Sequence, residues 1–273
     1  MNIRVFSFAG TESWLRRRNP AVKIGAHLAL TLLLTLVFDP ITPLVFIAVA
    51  FLAGRLLGGV PIRQLAVALT VFWVIGISLV LSNALFASDP RSTTVIWAWG
   101  PFNATVEGAM IGLSLAERMA AIAAFSVLFT MSTDPTDLVR SLVQQLRMAP
   151  RFAYTILAAY RFLPGLGHEY ETIRLAQRLR GRRPRRGPAG RLEERRGLLV
   201  PLFTGAVRRT DRVALAMDSR GFGSGRTRTH YRRLRVDRQD AALLVTAIGG
   251  GILILAVSAA LGVLRLWTGV LGA

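Results

Sequence analysis

LAVALTVFWVIGISLVLSNALF, residues 65–86, runs for 22 residues without a charged side chain. At about 1.5 Å per residue, a helix of that length covers the roughly 30 Å hydrocarbon core of a bilayer. AALLVTAIGGGILILAVSAALGVL, residues 241–264, does the same over 24 residues. Two shorter apolar runs, 21–38 and 41–57, are split by Phe38-Asp39-Pro40. Each lies near the lower limit of about 17 residues for a span, and together they read as a helical hairpin. Residues 108–131 form a fifth apolar run, interrupted by Glu117 and Arg118. A charged pair at such a depth marks either a transport path or a structural ion pair. The expected fold is an all-α membrane protein with about five transmembrane helices.

Between the last two runs lies the opposite chemistry. The chain is 52% hydrophobic with a mean hydropathy of +0.46, yet its net charge is +19. Those values coexist because charge is segregated: residues 132–240 carry 24 of the 34 basic side chains. The expected organisation is 1–131 as an N-terminal segment with four spans, 132–240 as a helical cytoplasmic insert, and 241–273 as the last span with an external C-terminus. Five spans put 31 of the 34 basic residues on one side. By the positive-inside rule that side is the cytoplasm, with the chain multi-pass in the membrane. Arg16, Arg17 and Arg18 precede the first apolar run, which reads as a retained span. With no cysteine, disulfides and thiolate chemistry are excluded.

The insert predicts three helices. Ser132-Thr133-Asp134-Pro135 has the form of a helix start, with apolar residues at helical spacing to Arg147 and a break at Pro150. A second pattern covers Phe152 to Arg180, where Pro164 and Gly165 are expected to kink or interrupt it. Residues 181–196, rich in arginine, read as a solvated loop. The third pattern carries Leu199, Leu202, Phe203, Ala206, Val207, Val213 and Met217 and stops at Gly221. On the other side of the bilayer, 89–106 reads as a loop whose Trp97 and Trp99 are interfacial anchors. Gly54-x-x-x-Gly58 is a weak sign of close helix packing, and the alanines of the fourth span are a further one.

Two triplets rhyme: Leu179-Arg180-Gly181 and Ser219-Arg220-Gly221 each close an amphipathic pattern. A cation in the last turn and a glycine after the cap are ordinary helix-ending chemistry. Two such endings in one basic insert also offer two planar guanidinium forks suited to carboxylates of a partner.

At these residues the chain resembles the T component of energy-coupling factor (ECF) transporters. Asn19-Pro20-Ala21-Val22-Lys23 looks like the family's start before the first span. Arg161-Phe162-Leu163-Pro164, Glu169, Ile173, Ala176-Gln177 and Arg180-Gly181 look like the run into the first triplet; Arg208, Ala216 and Ser219-Arg220-Gly221-Phe222-Gly223 look like the second. The triplets are commonly Ala-Arg-Gly in that family, and here begin with Leu179 and Ser219. The resemblance implies a non-catalytic coupling subunit whose helix ends dock on two ABC-type ATPase subunits, through Arg180 and Arg220 above all. A small membrane-embedded substrate-binding subunit would receive the motion, importing a vitamin or a transition-metal ion. The apolar stripe of 199–217 would pack partly on the companion helix and partly on that subunit.

The residues limit the rivals. Lys23 is the single lysine and has no Gly-x-x-x-x-Gly-Lys-Ser/Thr context, so ATP and Mg would bind on partner subunits and no cofactor is expected on this chain. His27, His168 and His230 are dispersed, and no metal site is expected. A nucleic-acid partner is not expected: Arg220-Gly221-Phe222-Gly223 departs from the RNA-recognition strand motif at Ser224-Gly225. A membrane scaffold or permease of another family with a basic cytoplasmic domain stays open as the alternative.

Overall fold

In the computed structural model, residues 13–86, 95–99, 102–181, 187–222 and 232–264 are described. They divide into two units, Met1–Ser141 with Leu234–Ala273, and Leu142–Arg233. The first holds the apolar helices: α1 (Pro20–Thr35), α2 (Ile41–Leu56), α3 (Ile62–Phe86), α4 (Val106–Ser132) and α8 (Arg238–Ala260). α5 (Pro135–Gln145) follows α4. The second holds α6 (Pro150–Leu179) and α7 (Pro188–Ser219). The protein is a helical membrane protein, as expected, and α3, α4 and α8 are long and apolar enough to cross a bilayer.

α1 and α2 are apolar but only 16 residues each, or about 24 Å. α1 stops at Thr35, three residues short of the expected end, because Asp39 belongs to the next helix: its Oδ2 accepts from the Thr42 amide at 2.7 Å. The chain nonetheless doubles back between them, although α1 packs on α4 and α8 and α2 on α3, α4 and α8 rather than the two on each other. The Leu15 amide, just before α1, bonds the Leu57 carbonyl at the end of α2 at 2.9 Å.

The core lies where α1, α2, α3 and α4 meet, with Leu34, Phe46, Ala50, Leu69, Ala121 and Ala124 buried together. α4 is its axis. Gly108, Gly112, Ala116, Ala120 and Ala124 recur every fourth residue, a small-residue ridge that lets backbones approach. A Cβ at Gly112 would stand 2.7 Å from Val80 Cα of α3, and one at Gly76 would stand 3.1 Å from Ala116 Cβ. Gly54 and Gly58 also lie close to α4: a Cβ at Gly54 would stand 3.5 Å from Leu128 Cδ1 and one at Gly58 3.2 Å from it, although α2 itself ends at Leu56.

Two cations inside this unit close helix ends. The Lys23 ammonium donates to the Ser132 carbonyl at 2.8 Å and to Thr133 Oγ1 at 3.4 Å, capping α4. Arg118 donates to the carbonyls of Thr35 (3.2 Å) and Val37 (3.5 Å) and lies over the Phe38 ring, capping α1. Asn19 caps α1 and donates its own amide to Asp240 Oδ1 at 3.0 Å, so the Asn-Pro-x-x-Lys segment clasps α8 and α4. Thus Arg118 holds backbone, not Glu117, and no ion pair joins those two residues among the described contacts.

Three local expectations are corrected. Residues 95–105 form a β-hairpin, β1 (Val95–Trp99) antiparallel to β2 (Phe102–Thr105), where a loop was expected. Its strand Val-Ile-Trp-Ala-Trp is β-branched and aromatic, which favours the pleat. The expected loop 181–196 is helical from Pro188 onward, because proline fits the first helical position and needs no amide partner there. Pro164 does not interrupt α6, which runs unbroken from Pro150 to Leu179. The start of α5 is as expected: Asp134 Oδ1 accepts from Thr136 N at 2.7 Å.

Candidate functional site

Both Arg-Gly triplets end helices, and they end them alike. Arg180 (φ −77°, ψ 10°) caps α6 and Arg220 (φ −89°, ψ 9°) caps α7. Gly181 (φ +74°) and Gly221 (φ +68°) follow in the left-handed region, which a side chain disfavours by roughly 1 kcal/mol or more. The Gly181 amide bonds the Arg178 carbonyl and the Gly221 amide the Asp218 carbonyl, the same step in each helix. At α7 the Phe222 amide also bonds Met217, completing a Schellman closure. Phe222 then lies 5.1 Å from the Tyr154 ring of α6.

The caps are satisfied by backbone, so the arginine side chains are not needed to finish the helices. Leu179, Arg180, Ser219 and Arg220 are all exposed, Leu179 at 89%. Among the described residues neither guanidinium has a hydrogen bond or ion pair. Two unengaged planar cations project from two matching helix ends.

α6 and α7 run antiparallel. Gln177 donates to the Gly197 carbonyl, Glu169 Oε2 accepts from Arg209 at 3.2 Å, and Tyr154 meets Phe222. At the crossing, Gly205 gives room to Glu169, whose carboxylate a Cβ would strike, and Gly165 gives room to Arg209. Gly197 and Arg220 are therefore on the order of 35 Å apart along α7. Arg180 follows Gln177 by one turn, so the two triplets sit at opposite ends of the pair.

Each helix shows a half-buried strip and an exposed apolar one. Leu202, Ala206, Val213 and Met217 are half-buried, as are Gly165, Glu169, Ile173 and Gln177 on α6. Phe203 is 65% exposed, and Val207, Phe152, Ile156 and Leu163 are exposed as well. The expected stripe of α7 thus splits: Phe203 leaves the face that Leu202, Ala206, Val213 and Met217 share. Arg161 and Pro164 are exposed and make no described contact that joins them to this crossing.

Residues 11–231 match the sequence model of the family described as cobalt transport protein (CbiQ). The energy-coupling factor transporter transmembrane protein EcfT of Limosilactobacillus fermentum is 31% identical over 261 residues, covering 91% of this chain and 95% of the relative. EcfT of Thermosediminibacter oceani is 32% identical over 251 residues, covering 89% and 93%. That of Heliobacterium modesticaldum is 32% identical over 265 residues, covering 93% and 96%. The chain belongs to this family. It is the T component of an ECF transporter, a membrane-embedded transporter subunit.

Within this T component, two residues at the crossing escape a reading by motif. Arg209, not Arg208, pairs with Glu169. Helical counting points to it, because 209 falls seven residues beyond Leu202 and on the same face. Gly205 carries the other signal, a small residue amid large ones on the inward strip. The tertiary roles of Lys23 and Arg118 have no local signal.

Proposed function

We propose that this T component couples two ABC-type ATPase subunits to a small membrane-embedded substrate-binding subunit. The observation that carries the proposal is the pair of matching, unengaged arginines at opposite ends of the α6–α7 pair. Arg180 and Gly181 would dock on one ATPase, and Arg220 and Gly221 on the other, each guanidinium pairing with acidic groups of its partner. A separation on the order of 35 Å suits two subunits better than one shared pocket. Leu179 and Ser219 flank the docking arginines, while Glu169, Gln177, Leu202, Ala206, Val213 and Met217 brace the two helices against each other. Phe203 and the other exposed apolar residues would meet the substrate-binding subunit.

ATP and Mg belong to the ATPases in this reading, and the T component does no chemistry. ATP-driven change in the distance between the ATPases moves the helix ends, and the braced pair carries that movement to the substrate-binding subunit. The cargo would be a vitamin or a transition-metal ion; the family description as a cobalt transport protein fits the second. The insert and the N-terminus would face the cytoplasm, by the distribution of basic residues. That assignment does not depend on whether the 16-residue helices cross fully, since a chain that doubles back returns to the side it entered from.

Charge reversal of both Arg180 and Arg220 to Glu should abolish co-purification of the ATPases while membrane insertion is retained. A doubly reversed protein that still pulls down two nucleotide-binding subunits would overturn the coupling role.

A further inference from the structure

A cavity of about 450 Å³ opens among α1, α2, α4 and α8, within the roughly 300–1,000 Å³ range of ligand sites. It is elongated along the helices. Its walls run from Leu243 to Ile254 on α8 and from Phe46 to Leu57 on α2, three turns of each helix, or about 16 Å. Its polarity is graded. Lys23 and Ser132 line the end where α1 and α8 begin and α2 and α4 finish, whereas the Phe46 and Ile254 end is apolar. Val49 and Leu253 line it and are exposed, so it opens sideways on apolar surface. At Gly250 a Cβ would meet nothing within 4 Å, which leaves the slot unfilled.

The polar end has a donor to spare. Lys23 is 5% exposed and has no carboxylate at ion-pair distance among the described residues. Two of its three N–H groups are taken by Ser132 and Thr133, leaving one donor. One turn on, His27 has a buried Nδ1 with no partner, while its Nε2 faces the Ser126 hydroxyl at 3.2 Å. A buried cation is costly unless paired. The Asp240 and Asp137 carboxylates act on Lys23 only from beyond ion-pair distance and are opposed by Arg16 and Arg18, so the remaining donor suits an anion, and the slot behind it accepts hydrocarbon.

We propose that this cavity holds one acyl chain of an anionic membrane phospholipid, with the phosphate on the remaining Lys23 donor. The chain would lie along the helix axes, as acyl chains do in a bilayer, and enter past Val49 and Leu253. Only membrane embedding is required, so the site is independent of the coupling role.

The test is native mass spectrometry of the full-length chain, purified in mild detergent and exposed to equal amounts of phosphatidylglycerol and phosphatidylcholine. One phosphatidylglycerol should be retained per chain. Gly250→Phe, which fills the slot, should lower retention at least tenfold. Lys23→Met should reduce the preference for phosphatidylglycerol about fivefold, the effect of one basic residue at an anionic headgroup. If Lys23→Met fails to fold for want of its α4 cap, Gly250→Phe still decides, since it touches none of those hydrogen bonds. Equal retention by wild type and Gly250→Phe, or no retained phospholipid, would overturn the site. So would a photo-crosslinker at Val49 that captures a protein partner instead of lipid.

Discussion

The cations of the membrane unit and those of the α6–α7 unit are spent differently. Lys23 and Arg118 each reach into the end of another helix and hold its last carbonyls. Arg180 and Arg220 also stand at helix ends, yet those ends are closed by glycine and backbone, and the guanidiniums extend outward. Position at a helix terminus therefore does not reveal a cation's use. What distinguishes them is whether the terminus needs the cation. Where an αL glycine does the capping, the side chain is released for a partner; where it does not, the cation is structural.

Exchanging the two behaviours breaks or sharpens this contrast. The largest effect is expected from Arg180→Glu with Arg220→Glu, which should remove ATPase co-purification altogether without lowering the thermal midpoint of the isolated chain. Each single reversal should leave partial capture, and a single that abolishes capture of both subunits would contradict separate docking ends. Gly112→Val attacks the membrane unit instead. Its branched side chain must displace the α3 backbone at Val80, an overpacking cost of about 3 kcal/mol, read as a lower thermal midpoint by size-exclusion fluorescence. Arg118→Leu should lower stability by about 1–2 kcal/mol through loss of the α1 cap, while the solubilised protein still captures both ATPases. The smallest effect belongs to Glu169 and Arg209, which are partly exposed. A double-mutant cycle with alanine should give a coupling below about 1 kcal/mol.

Legibility followed range. The helix endings at Gly181 and Gly221, the start at Asp134-Pro135 and the three long apolar runs are written in a few consecutive residues, and the structure has them where expected. Two errors were also local. Pro188 lies in the expected loop yet suits a first helical turn, and Val95–Trp99 lies in an expected loop yet its residues favour a strand. The early end of α1 is local as well, with Asp39 accepting from Thr42 three residues on. One further surprise has no local cause: Arg118 finds carbonyls more than 80 positions away in the chain.

Apolar run length, basic-residue asymmetry and the Arg-Gly endings are properties of short segments, and from them the membrane class and the two candidate arginines follow without coordinates. Folding settled which cation holds what. The Lys23–Ser132 and Arg118–Thr35 bonds, the Glu169–Arg209 pairing at Gly205 and the graded cavity beside α8 arise from helices brought together from distant sequence. Hydrophobic burial sets those neighbours without direction or register of its own, so a side chain's partner is known only once the helices have met.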